Sequence, residues 1–141
     1  MDIAEVRKRV LHTIERAKRE AAARRARVDE ASREYGEFLD RIAVPLFHQV
    51  ARALRAEGHS FNVFTPSGSV RLASERSGED YIELLLDTSG ATPQVVGHCS
   101  RSRGRRVLET ERPIGDERIA ALTDEDVLGF LLKELEPFVE R

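Results

Sequence analysis

The chain has no tryptophan, one methionine and one cysteine in 141 residues. A lone cysteine, Cys99, excludes an internal disulfide framework, so packing and hydrogen bonds must hold the fold. No stretch approaches the roughly 18 consecutive apolar residues of a membrane span, and Arg7-Lys8-Arg9 has no apolar signal core behind it. These absences predict a soluble, cytoplasmic protein without membrane attachment. The four histidines, His12, His48, His59 and His98, show no metal-ligand spacing. Pro66-Ser67-Gly68-Ser69 and Ser89-Gly90 lack the lysine and helix start of a phosphate-cradling loop, and read as turns. No cofactor or metal is expected, and no residue set carries an enzyme signature. Cys99 reads as a small buried hydrophobe, facing away from neighbouring His98 on a strand.

What the chain does have is helix. From Val10 onward, Ile14, Ala17, Ala21, Arg24, Val28, Ala31, Tyr35, Phe38 and Ile42 recur at alternating steps of four and three, a coiled-coil seam that only Arg24 interrupts. The stretch from Asp2 to Ile42 would extend about 60 Å at the α-helical rise. Glu15 with Arg19, Glu20 with Arg24 and Asp29 with Arg33 place acid before base at i,i+4 spacing, a support of about 0.2–0.5 kcal/mol each. Pro45 breaks the pattern, yet Leu46, Val50 and Leu54 keep its phase. The reading is therefore a kink, with Gly58 closing the helix near Glu57.

The character changes at Phe61. Strand-like runs at 61–65, 70–74, 81–87, 94–99 and 106–111 are separated by turn clusters too short for crossover helices, which implies an antiparallel meander of four to six strands. In 81–87, Ile82, Leu84 and Leu86 share one face and Tyr81, Glu83 and Leu85 the other. Thr123 then caps a C-terminal helix at 124–138, with Asp124, Glu125 and Asp126 at its positive end and Leu128, Leu131, Leu132, Leu135 and Val139 as an apolar stripe to cover the sheet. Pro137 predicts that the last residues leave the regular helix. Residues 114–122 fit a short helix, an edge strand or a loop. The fold class is α+β: an extended coiled-coil-like helix over 1–44, then one globular domain over 45–141, its helix running on to about 57.

With 40% hydrophobic and 34% charged residues the chain fills one modest core. Charge is uneven: residues 1–34 hold ten bases and seven acids, net +3, and the remainder thirteen and eighteen, net −5. The leading functional expectation is a non-enzymatic oligomerising or adaptor protein, a homodimer or a partner of another helix. Its contacts would be Ile3, Val6, Val10, Ile14, Val28, Tyr35, Phe38 and Ile42. A helix folded back on its own domain is the plainer alternative. A second functional expectation is a nucleic-acid or nucleotide-binding regulator. It rests on Arg101, Arg103, Arg105 and Arg106 in a predicted hairpin turn, aided by Arg24, Arg25 and Arg27, since guanidinium forks suit phosphate. Arg41, His48, Arg52 and Arg55 form a weaker stripe that reads as solvent face.

Overall fold

Asp2 starts the first helix, its carboxylate accepting the Ala4 N–H at 3.2 Å. In the computed structural model, which describes residues 1–115 and 118–140, helix α1 spans Ile3–Phe38. A π-helical turn, Leu39–Ala43, joins it without interruption to α2, Val44–Ala56. Pro45 has no N–H to return to the carbonyl one turn back, and the wider turn before it absorbs that mismatch, with the Val44 N–H reaching Leu39. This is the physical form of the kink expected there. Gly58, at φ +88, ends α2: its N–H bonds Arg55 O, and the His59 N–H bonds Leu54 O at 2.8 Å, the two bonds of a Schellman cap.

Five strands follow in chain order, all antiparallel: β1 Phe61–Phe64, β2 Val70–Ser74, β3 Tyr81–Asp87, β4 Gln94–Arg103 and β5 Arg106–Pro113. Register places Val70, Leu84 and Gly97 in one row and Val63, Leu72, Ile82 and Cys99 in the next. That face is the core side. Helix α3, Asp124–Val139, lies over it, with Phe130 against Gly97 and Phe138 edge-on to Phe61, ring centres 6.1 Å apart. Phe47, Leu72, Ile82, Leu84 and Leu131 are fully buried.

Three local expectations need correction. Helix α3 continues through Pro137 to Val139, because Phe138 is held by its contact with Phe61. Leu132 does not join the covering stripe and is 57% exposed, while Phe130 packs against the core. None of the three i,i+4 ion pairs forms: Arg33 bonds Glu30 and Glu37 instead, and Arg24 turns to the sheet. Of the ambiguous stretch 114–122, the described residues form one 3-10 turn, Ile119–Ala121, with Ile114, Ile119 and Leu122 buried; Asp116 and Glu117 lie outside the described residues.

Candidate functional site

Two surfaces stand out from the body. The first is the N-terminal part of α1. Its apolar stripe is continuous in sequence but divided in space. Ala31, Tyr35 and Phe38 are buried in the chain's own core, and Val28 and Ile42 are half-buried. The Tyr35 hydroxyl donates to Gly68 O at 2.8 Å and lies 3.2 Å from Leu84 O. Burial and the negative charge of Glu83 push that hydroxyl's pKa up. Tyr35 and Phe38 are thus satisfied within one chain. N-terminal to Arg24, whose guanidinium donates to Thr88 O at 2.9 Å, none of the described residues of the body covers the apolar stripe. Ile3, Val6, Val10, Leu11 and Ile14 are 43–77% exposed. Leu11 escaped the strict four-and-three seam; its exposed neighbour Ile14, three residues on, is the signal that places it beside the stripe. Residues 2–27 carry nine bases and four acids, net +5, which leaves −7 for the rest.

The second surface is the β4–β5 ribbon. Arg101 and Arg103 belong to a strand and not to a turn, since β4 runs to Arg103 and the turn is only Gly104-Arg105. Gly104, at φ +64, takes the left-handed first position of a tight two-residue turn, which any side chain would resist. Strand β3 pairs with β4 only as far as Ser100, so residues 101–108 project past the sheet as two strands alone. Asp80 pins the base of the ribbon, accepting the Ser102 N–H at 2.7 Å and its hydroxyl at 3.0 Å.

The potentially reactive groups are occupied elsewhere. The Cys99 thiol faces the core and donates to Glu134 Oε2 at 3.3 Å. Burial first, and then the Glu134 charge, push its pKa up to about 12, so it is a poor nucleophile at neutral pH. His98 lies on the opposite face beside Tyr81 and Glu109. Glu83, buried on that outer face, pairs with Arg71 at 3.0 Å and accepts a hydrogen bond from the Ser69 hydroxyl; it escaped sequence reading because it alternates like any solvent-facing strand residue. In the depression that holds His59, Ser74, Glu75 and Asp80, the Ser74 hydroxyl accepts the Arg76 N–H and Glu75 binds Arg55 at 2.8 Å. Asp126 completes a capping box with Thr123. Among the described residues no three His, Cys, Asp or Glu side chains converge as a metal site would require. Among the described residues no helix is long and apolar enough to cross a membrane. Comparison with family models, curated proteins and solved structures finds no match to this chain.

Proposed function

We propose that this is a non-enzymatic oligomerising adaptor that self-associates through residues 3–21 of α1, with a second copy as the partner. The observation that carries the proposal is the run of exposed Ile3, Val6, Val10, Leu11 and Ile14, on the stripe that is buried from Ala31 onward. Area supports it as well. The chain exposes 9551 Å² at 15.9 kDa, about 2,200 Å² more than a compact monomer of that mass. A standard interface needs only about 800 Å² from each partner.

Charge selects the orientation. A parallel pair stacks Arg7 on Arg7 at the seam, whereas an antiparallel pair centred on His12 sets Arg7 against Ala17, Val10 against Ile14, and Ile3 against Ala21. It also brings the two Leu11 side chains together across the dyad. Light scattering after size exclusion tests the reading. A dimer that Ile14→Asp converts to a monomer, with unchanged circular dichroism, is the expected outcome, since the substitution would bury an unpaired charge. A monomer of the unsubstituted chain at every concentration tried refutes the homodimer.

A further inference from the structure

The register of the projecting ribbon puts Arg101 opposite Leu108 and Arg103 opposite Arg106. Directly paired residues of an antiparallel ladder point to the same side. Arg101, Arg103 and Arg106 therefore share one face of the ribbon, Arg101 half-buried and the other two exposed, around Leu108, which is 39% exposed. The opposite face carries Ser102, Val107 and Glu109. Among the described residues no carboxylate lies within salt-bridge distance of these three arginines, unlike Arg112 on the same face, which reaches Glu134 at 3.8 Å. Two cations set directly across a ladder repel each other. No carboxylate among the described residues compensates that repulsion, and a polyanion would.

We infer that this arginine face binds the phosphate backbone of duplex DNA. The guanidinium forks match phosphate oxygens, and a two-stranded ribbon is an element that the major groove of B-DNA admits. The face lacks the aromatic platform on which single-stranded bases stack, so a duplex is favoured over a single strand. The contact is to backbone charge and carries no sequence preference. The Asp80 bonds at the ribbon base hold the face in place before the ligand arrives. The site lies on a different element from the pairing helix and does not depend on self-association.

Fluorescence anisotropy of the full chain with a labelled short duplex tests it. Binding at low salt should weaken roughly 40-fold between about 50 and 200 mM, a log–log slope near −3 for three phosphates. Arg101→Ala, Arg103→Ala and Arg106→Ala together should remove most of that affinity and slope. Arg16→Gln with Arg19→Gln, on the basic helix, should change affinity less than twofold. Arg103→Glu, which replaces the repelling pair with an attracting one, should raise the melting temperature while weakening DNA binding, and so separates a folding defect from a binding defect. Three results would overturn the inference: no anisotropy change at low salt, loss of binding only in the helix variant, or poly-glutamate binding as tightly as the duplex. The last would mark the face as a dock for acidic protein surfaces.

Discussion

Gly97 shows how much one absent atom governs. A Cβ at this position would sit 2.0 Å from the Phe130 ring tip, so the helix-to-sheet distance is set by the missing side chain. Gly97→Ala should cost about 1–3 kcal/mol, the usual penalty of overpacking, read as a lower urea midpoint. In the sequence the glycine merely interrupts Val95-Val96-His98, because the ring that demands it is more than thirty residues away. Tyr35 was legible as a stripe residue, but periodicity cannot say whether the facing surface belongs to the same chain. Tyr35→Phe should lose about 1 kcal/mol with the hydroxyl bond. Cys99 has a raised pKa in the folded state, so the folded protein keeps its proton where the unfolded chain has lost it. Stability from this group is complete below the ordinary thiol range and declines as pH rises toward about 12. Native protein should resist thiol reagents near neutral pH and react once unfolded.

At the scale of elements, the features specified by local chemistry were readable. Gly58 as a left-handed cap and Thr123 with Asp126 as a capping box both stand as their residue types imply. Thr123→Ala should destabilise by about 1 kcal/mol, seen in thermal unfolding. The meander was legible too, since its turns leave no room for crossovers. The ribbon was not. Four arginines around one glycine resemble a loop, but Gly104 closes the turn in two residues and the strands run on into the arginines. The π turn before Pro45 was visible only as an interruption, because a one-residue widening leaves no signature in hydrophobic spacing.

For the whole molecule, the helix N-terminal to the Arg24 contact, residues 3–23, extends about 32 Å and holds six bases against three acids, net +3. Two such arms repel at long range while their apolar stripes attract at contact. Added salt should therefore strengthen the dimer and weaken the DNA contact, opposite trends from one protein, measurable by sedimentation and by anisotropy. The direction in which that arm leaves the body traces back to Leu39–Ala43. A π turn holds one residue more than the α-helical turn it replaces. Removing a single residue there would restore regular α-helix and swing everything before it by about 100° around the axis. Either Tyr35 and Phe38 would leave the core, or α2 would have to roll. One surplus residue thus acts as the phase setting of the molecule, fixing which side of the arm faces inward and which way its apolar edge is aimed.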